Sequence, residues 1–233
     1  MWRHGLPALG DAGWRAVAPD LPGFGDSAPD PPGTWERHVE ALDRFVRELD
    51  LGPVALVTHD WGVAIGLLWA CDHPGAANAL VISDGGFFAD REWHDMAKTL
   101  RTPEVGERFV GSLTRELFGT ALKSLSRGMT DVALDEYWKA YGDETRRLGI
   151  LELYRSGDFE KLIPYEGRLA ALGVPALIVW GAEDGFAPVQ LGRRFHEELA
   201  GSELLTIDGA GHFVWEDAPE ETVSALLDFL RRL

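Results

Sequence analysis

The stretch VALVTHDWGVAIGLLWA, residues 54–70, decides the fold of this chain. It begins as a short apolar run with β-branched residues, which is typical of a buried strand, and it continues at once as an apolar helical pattern. The two patterns meet at Asp60, which is followed by Trp61 and Gly62. A strand that turns directly into a helix around a reactive side chain describes a nucleophile elbow. The stretch therefore predicts that Asp60 projects from a tight turn into a pocket.

An aspartate at this turn favours a particular chemistry. The helix N-terminus behind Asp60 supplies backbone N–H groups and a positive dipole end, both of which stabilise a carboxylate. A carboxylate needs no base to act as a nucleophile at neutral pH. Asp60 therefore suits displacement at a saturated carbon, through an ester that water then hydrolyses. The alternative is that Asp60 only caps the helix that follows it.

Four further apolar runs have the character of strands. They are RAVAPDL at 15–21, ALVISDG at 79–85, ALIVWGA at 176–182 and ELLTIDG at 203–209. Helical patterns alternate with the runs, for example at residues 35–49 and 63–71. This alternation predicts a mostly parallel sheet that helices cover on both faces, with functional groups at the carboxyl ends of the strands.

One long segment, residues 86–165, has helical patterns and no convincing buried strand. We interpret it as a helical cap inserted between two strands of the sheet. The predicted organisation has three parts. Residues 1–85 form the first part of the α/β core with the elbow, residues 86–165 form the cap, and residues 166–233 form the rest of the core.

Composition limits the classes of partner. The 233 residues, 45% of them hydrophobic, are enough for one sizeable core. The net charge of -16 would repel nucleic acid and anionic membranes, so a small molecule is the expected partner. The single cysteine, Cys71, excludes an intrachain disulfide, and we interpret it as a buried apolar residue. Without a signal segment or a membrane-length apolar run, the chain is expected to be cytoplasmic, while its oligomeric state stays open.

Two residues in the C-terminal part complete a catalytic pattern. Asp184 lies just beyond the run ALIVWGA, and His212 lies just beyond ELLTIDG. Together with Asp60 they give the order nucleophile, acid, base along the chain, which is the order of the triad in α/β hydrolases. A histidine between small residues can also be an ordinary loop residue, but the joint pattern favours catalysis.

Three motifs, taken together, resemble one branch of the α/β-hydrolase superfamily, that of the haloalkane dehalogenases and epoxide hydrolases. They are APDLPGFGDS at 18–27, HDWG at 59–62 and GAGHFVWEDAPEE at 209–221. The resemblance extends over nearly the whole chain, from about Trp2 to its end. It implies an α/β-hydrolase fold with a cap, and an enzyme that needs neither a cofactor nor a metal.

The resemblance also implies the role of each site residue. Asp60 corresponds to the nucleophile, His212 to the general base and Asp184 to the acid that orients the base. Asp84, at the end of ALVISDG, matches the position where some haloalkane dehalogenases carry their acid. Asp184 is the first choice for the acid and Asp84 is the runner-up.

The substrate class depends on what stabilises the leaving group. The indole of Trp61 is a donor without an acceptor and suits a departing halide, and Trp93 or Trp138 could supply a second donor. Phe213, next to the base, also resembles the dehalogenases. Tyr154 instead resembles one of two cap tyrosines that protonate the ring oxygen in epoxide hydrolases. The sequence favours a carbon–halogen substrate, with an epoxide as the alternative.

The start of the chain departs from the family pattern. His4–Pro7 imitates in letters the loop that supplies an oxyanion donor, but its spacing is wrong, and the segment resembles the helix that normally follows that loop. We therefore expect N-terminal strands of the family sheet to be missing, including the one between RAVAPDL and VALVTHD. Loss of one oxyanion donor costs roughly 10²- to 10³-fold in rate. A third interpretation is thus an impaired, truncated hydrolase that acts at most as a binding protein.

Overall fold

A four-stranded parallel sheet forms the centre of the molecule in a computed structural model that describes residues 1–233. Its strands are β1 (Val54–His59), β2 (Ala77–Ser83), β3 (Ala176–Gly181) and β4 (Glu203–Ile207). They pair in chain order, with β1 and β4 at the edges. The prediction of a parallel sheet is confirmed, and four of the five predicted strands are present.

The prediction of a strand at residues 15–21 is wrong. This segment has no regular structure, and most of its residues are exposed. A strand is stabilised by pairing with a neighbour, and residues 1–53 contribute no strand that could pair this segment with β1. Pro19 also removes one backbone donor from the segment.

Twelve α-helices surround the sheet or connect its strands. They are α1 (Gly5–Asp11), α2 (Trp35–Glu48), α3 (Trp61–Asp72), α4 (Asp95–Arg101), α5 (Val105–Ser112), α6 (Arg115–Leu125), α7 (Asp131–Trp138), α8 (Glu144–Ser156), α9 (Arg168–Ala171), α10 (Val189–Glu198), α11 (Val214–Asp217) and α12 (Pro219–Leu230). Two 3₁₀ helices, Lys139–Tyr141 and Phe159–Tyr165, lie among them. No helix is long and apolar enough to cross a membrane.

The two faces of the sheet pack into separate cores because successive side chains of a strand point in opposite directions. On β2, Leu80 and Ile82 pack in the larger core with α2, α3 and α10, whereas Ala79 and Val81 pack in the smaller core with α11 and α12. The two central strands, β2 and β3, are buried on both faces, and their sequences are therefore almost continuously apolar.

Helix α3 is held close against β1, and this contact fixes the turn between them. A Cβ at Gly66 would lie 2.8 Å from the Thr58 Cγ2 atom, so only glycine permits this approach. The helix is buried from Val63 to Leu67 and again around Trp69. Its N-terminus is therefore fixed at the carboxyl end of the sheet.

Between β2 and β3 the chain forms helices and loops only, from α4 to α9. Two small apolar clusters stabilise this part, one around Phe118 and Leu134 and one around Leu100, Val110 and Leu151. Arg155 of α8 forms a paired contact with Glu107 of α5, with nitrogen to oxygen distances of 2.7 and 2.8 Å. Tyr154 of α8 and Trp93, in the loop before α4, both contact Trp61 at the carboxyl end of β1.

Candidate active site

The turn between β1 and α3 holds Asp60 in a strained conformation. Its backbone has φ 50° and ψ -121°, a region that residues other than glycine rarely adopt. A Cβ at Gly85 would lie 2.7 Å from the Asp60 carbonyl oxygen, so the neighbouring turn also depends on a glycine. The Asp60 side chain is 43% exposed, and it stands at the start of α3. Strain and position together match the elbow expected from the sequence.

His212 lies between two carboxylates. Its Nε2 atom is 3.6 Å from the Asp60 Oδ1 atom, and its Nδ1 atom is 2.9 Å from the Asp184 Oδ2 atom. An ionised carboxylate can only accept, so Nδ1–H donates to Asp184 and Nε2 is left facing Asp60. The structure thus brings together the three residues that the sequence had placed 124 and 28 positions apart, in the order carboxylate, imidazole, carboxylate.

Asp184 is buried, and its carboxylate accepts three hydrogen bonds. Besides the contact with His212, its Oδ1 accepts from the backbone N–H of Phe186 at 2.7 Å and of Ala187 at 2.9 Å. Burial opposes ionisation, but the hydrogen bond and charge of His212 and these two N–H groups outweigh it, so the pKa of Asp184 is lowered. Asp184 is therefore ionised at neutral pH.

The same carboxylates act on His212. Burial alone would lower the pKa of the imidazole, yet the hydrogen bond that it donates to Asp184 and the charges of Asp60 and Asp184 raise this pKa above its ordinary value. His59 contributes a further constraint, because its Nε2–H donates to the His212 carbonyl oxygen at 2.7 Å. Burial lowers the pKa of His59 to about 4, so this second ring is neutral.

Asp84 is close to Asp184 but differs from it in charge. It is fully buried at the end of β2, and its Oδ1 accepts from the Gly181 N–H at 2.9 Å. No donor reaches its Oδ2 atom. Burial, followed by the charge of Asp184, raises the pKa of Asp84 well above its ordinary value, which favours the protonated form of this side chain. The contact with His212 belongs to Asp184.

Aromatic side chains from the helical segment surround Trp61. Its ring lies 5.8 Å from that of Trp93 and 5.2 Å from that of Tyr154, measured between centroids. A side chain at Gly157 would collide with the Trp61 ring, so α8 ends directly against it. Trp61, Trp93 and Tyr154 all line a cleft above Asp60.

The structure places the two remaining predicted residues differently. Phe213 packs beside His212, with its ring centroid 5.4 Å from that of His212 and 5.6 Å from that of Tyr137. Trp138 packs in the cluster around Phe118 and stacks on Tyr141 at 5.9 Å. Trp138 is not among the residues that line the cleft above Asp60.

The cleft holds residues that the sequence did not single out. It encloses about 320 Å³, including its opening to solvent, and its wall contains Arg91, His94 and Phe159. Tyr141 does not line the cleft, but burial and then the charge of Asp60 raise its pKa to about 12. None of them has a recognisable spacing from the elbow, because the fold of the helical segment alone brings them to Asp60. No group of three or more His, Cys, Asp and Glu side chains is arranged to hold a metal ion.

The N-terminal His4–Pro7 segment is not an oxyanion loop. Gly5 begins α1, and His4 precedes it in helical conformation, as the sequence comparison of this segment with a helix had indicated. The His4 Nε2 atom lies 4.0 Å from Glu216. Asp60 is the N-cap residue of α3, and its side chain accepts no hydrogen bond from the backbone N–H groups of that helix.

A parallel sheet, a strained aspartate elbow and an aspartate–histidine pair at the carboxyl ends of the strands define an α/β hydrolase. The model of the α/β-hydrolase fold family matches residues 1–219, and the chain belongs to this family. Within the family it is a haloalkane dehalogenase-like hydrolase, as its relatives indicate.

Three known proteins illustrate this relationship. A cis-3-alkyl-4-alkyloxetan-2-one decarboxylase of Xanthomonas campestris is 29% identical, with 100% of this chain and 84% of that protein aligned. A haloalkane dehalogenase of Sphingobium indicum is 30% identical, again over 100% of this chain and 84% of the other. The solved structure of a haloalkane dehalogenase loop variant from Bradyrhizobium elkanii superimposes with a TM-score of 0.83 at 22% identity, covering 99% of this chain and 84% of that one.

Proposed function

We propose that the chain hydrolyses a carbon–halogen bond of a small organic substrate through an ester on Asp60. The observation that carries the proposal is the alignment of Asp60, His212 and Asp184. A strained, partly exposed carboxylate lies 3.6 Å from an imidazole that a buried carboxylate orients from 2.9 Å on its far side. A serine hydrolase would need the imidazole to activate its nucleophile, whereas here the nucleophile is already an anion and the imidazole is free to act on water.

In the first half of the proposed reaction, Asp60 attacks the carbon that carries the halogen. The new C–O bond forms as the C–X bond breaks, and the halide leaves with the electron pair. Trp61, next to the nucleophile, and Trp93, across the cleft, are the candidate indole donors to the halide. Trp138 lies in the Phe118 cluster, so we assign it a packing role.

In the second half, His212 takes a proton from water as the water attacks the Asp60 ester. The imidazole must be neutral for this step. Part of its raised pKa comes from the charge of Asp60, and esterification removes that charge. Formation of the ester therefore lowers the pKa of His212 at the stage when a neutral base is needed. Asp184 stabilises the imidazolium that results.

We further propose that residues 86–165 act as a cap over the site, flanked by core residues 1–85 and 166–233. The contacts of Trp93 and Tyr154 with Trp61 support this assignment. A cap that excludes water from the first half-reaction would strengthen every electrostatic interaction of the leaving group.

Epoxide hydrolysis is a second candidate, and a pair of tyrosines favours it. Tyr154 lines the cleft, and the pKa values of both Tyr154 and Tyr141 are raised by burial and then by the charge of Asp60. Two protonated phenols near the nucleophile suit donation to a ring oxygen as the ring opens. Tyr154→Phe would abolish turnover of epoxides and leave that of haloalkanes within about threefold, since only the epoxide needs a phenolic proton.

A third candidate follows from the oxetanone decarboxylase relative. The same aspartate could open the four-membered ring of an oxetan-2-one, because that substrate also has a saturated carbon bound to a leaving oxygen. All three candidates use Asp60 as the nucleophile, but they differ in the substrate and its leaving group. One experiment with all three kinds of substrate therefore separates them.

The test is intact-protein mass spectrometry of His212→Gln after incubation with haloalkanes, epoxides and oxetan-2-ones. Blocking the second half-reaction traps the ester on Asp60. A haloalkane adds the alkyl group without the halogen, whereas an epoxide or an oxetan-2-one adds its whole mass. Peptide mapping assigns the adduct to Asp60.

A matched control is His73→Gln, at the other end of α3. Twelve residues of helix separate His73 from Asp60, a distance of about 18 Å. This variant should accumulate no adduct. Absence of any adduct on folded His212→Gln would reject all three hydrolytic candidates and leave the interpretation of an impaired hydrolase that only binds.

A further inference from the structure

We propose that Arg91 forms a carboxylate-binding subsite in the cleft, so that the substrate either carries a carboxylate beside the attacked carbon or releases one when Asp60 opens a lactone ring. This inference rests on the proposed function, because it names the substrate class for the same Asp60 chemistry. The inference is based on the Arg91 guanidinium, a cation that has no role in the proposed triad or in the candidate halide site.

The protein leaves most of the Arg91 guanidinium without a partner. The side chain has five N–H donors. One hydrogen bond is present, from Nη2 to the Phe186 carbonyl oxygen at 3.1 Å. Arg91 forms no ion pair, since no carboxylate oxygen lies within 4.0 Å of its guanidinium nitrogens. Because a partly buried cation without an ion pair is unfavourable, its position calls for an anionic ligand.

The guanidinium is also held in place. Its carbon lies 5.4 Å from the centre of the Phe159 ring, and its Nη2 donates to the Phe186 carbonyl oxygen. A Cβ at residue 86 would lie 2.5 Å from Nη1, so Gly86 provides the space that the head group occupies. A planar fork fixed in this way suits a carboxylate, which accepts two parallel hydrogen bonds.

The subsite faces the proposed nucleophile. Arg91 and Asp60 line the same cleft, and the charges of Asp60 and Asp184 act on Arg91. His94 supplies a further donor to this wall. Its Nδ1 atom accepts from the Ala97 N–H at 3.2 Å, so the neutral ring carries its proton on Nε2. Two donors thus stand on the wall of the cleft that a substrate carboxylate would contact.

Two chemical sources could provide the carboxylate. A 2-haloalkanoate carries it from the start, and attack by Asp60 forms a C–O bond while the halide leaves with the C–X electron pair. In a β-lactone, attack at the saturated ring carbon breaks its bond to the ring oxygen, and that electron pair stays on the oxygen as a new carboxylate. Arg91 would stabilise the anion in both cases.

The experiment measures the rate of ester formation in the His212→Gln background by intact mass. The probes are 2-bromopropanoate, its neutral methyl ester, 4-methyloxetan-2-one and 1-bromopropane. Arg91→Met should slow labelling by 2-bromopropanoate, by the lactone or by both, by roughly 10- to 100-fold, the range for loss of a hydrogen bond to a charged group. The rates with the methyl ester and 1-bromopropane should stay within about threefold. The probe that is slowed, 2-bromopropanoate or the lactone, shows whether the substrate carries the carboxylate from the start or releases it on ring opening.

Arg194→Met is the matched control, because Arg194 likewise lies over a phenylalanine, with its guanidinium carbon 4.0 Å from the centre of the Phe88 ring, but pairs with Asp90. It should leave all four rates unchanged. Equal loss with charged and neutral probes in Arg91→Met would overturn the inference. Labelling by the two neutral probes, but by neither 2-bromopropanoate nor the lactone, would also overturn the inference. The proposed function would stand in that case.

Unreactive propanoate separates the two proposals if no probe labels the protein. It should raise the melting temperature of the wild type and of Arg194→Met but not of Arg91→Met. Such a result would support the subsite even though the covalent chemistry had failed. The same shift in all three proteins, or in none, would refute it.

Discussion

The turns that follow β2 and β3 each contain a buried aspartate, and the two differ in their hydrogen-bond donors. Asp184, after β3, accepts from two backbone N–H groups and from His212. Asp84, after β2, accepts from one N–H, that of Gly181, and its Oδ2 atom has no donor. The charge of Asp184 acts on Asp84 and helps to raise its pKa.

Burial alone does not account for the difference. Asp184 is 7% exposed and Asp84 is 0% exposed, so both carboxyls have lost almost all contact with water. The number of donors decides the charge: three hydrogen bonds offset the cost of burying the Asp184 anion, whereas one does not do so for Asp84. Ionisation of Asp184 in turn makes a second nearby anion unfavourable. The pair therefore holds one charge, on the member that contacts His212.

The largest expected effect comes from removing that charge. Asp184→Asn should lower kcat by roughly 10²- to 10⁴-fold, because the neutral amide no longer stabilises the imidazolium and allows the wrong tautomer of His212. The measurement is steady-state turnover of whichever probe labels His212→Gln.

Asp84→Asn is the matched control for this prediction. It substitutes a neutral group for one that is already protonated, so turnover should change by less than about threefold. If the two variants exchanged these outcomes, Asp84 would be the acid and the comparison would be reversed.

The second prediction concerns stability and the Gly181 N–H. Asp84→Ala leaves this buried donor without an acceptor and should reduce the free energy of unfolding by about 1–3 kcal/mol. Asp84→Asn keeps a carbonyl oxygen in the same place and should lose less than half as much. Urea denaturation at about pH 4, where the unfolded-state carboxyl of Asp84 still keeps much of its proton, compares the variants with the wild type by circular dichroism. Equal losses in both variants would show that the hydrogen bond to Gly181 is not what Asp84 contributes.

The contrast between the two aspartates also shows what sequence could and could not predict. Both follow apolar runs and both match acid positions of the family, so the pattern left them as first choice and runner-up. The deciding contacts come from the N–H groups of Phe186 and Ala187 and from the His212 ring, 28 residues away along the chain. Local sequence does not encode how many donors a loop will direct at one carboxylate.

A strand could be predicted from the sequence only where the folded chain provides a neighbouring strand for it to pair with. Runs that became β1 to β4 are apolar because helices cover the sheet, and the elbow was visible because the change of pattern falls on Asp60 itself. Residues 15–21 have the same composition but no neighbouring strand, so they stay outside the sheet. Arg91 and His94 reach the cleft only through tertiary packing, and no spacing rule could find them.

The third prediction is a dependence of stability on pH that only Asp84 should cause. Its folded-state pKa is raised well above the unfolded value of about 3.9. The folded protein therefore keeps a proton that the unfolded chain releases, and stability falls as pH rises between the two values. Asp84→Asn removes this loss. Its stability relative to the wild type should thus increase by up to about 1.4 kcal/mol for each pH unit above 4, until the folded-state pKa is passed.

Thermal melts of both proteins from pH 4.5 to pH 8 measure this difference. Other titrating groups are common to the two proteins and cancel in the comparison. A difference that stays constant over the whole range would mean that Asp84 is ionised in the folded protein, against its assignment as the protonated member of the pair.

The smallest expected effect is a shift in the pKa of His212. It tests how the charge states of Asp60, Asp184 and Asp84 act on this imidazole. The charges of Asp60 and Asp184 both raise this pKa, so Asp60→Asn should lower it. Asp84→Asn should leave it unchanged, because Asp84 carries no charge to remove. Titration of the His212 Hε1 resonance by NMR measures both shifts. A pKa that does not respond to Asp60→Asn would separate the nucleophile from the base electrostatically, and esterification of Asp60 could then no longer help to prepare His212 for its attack on water.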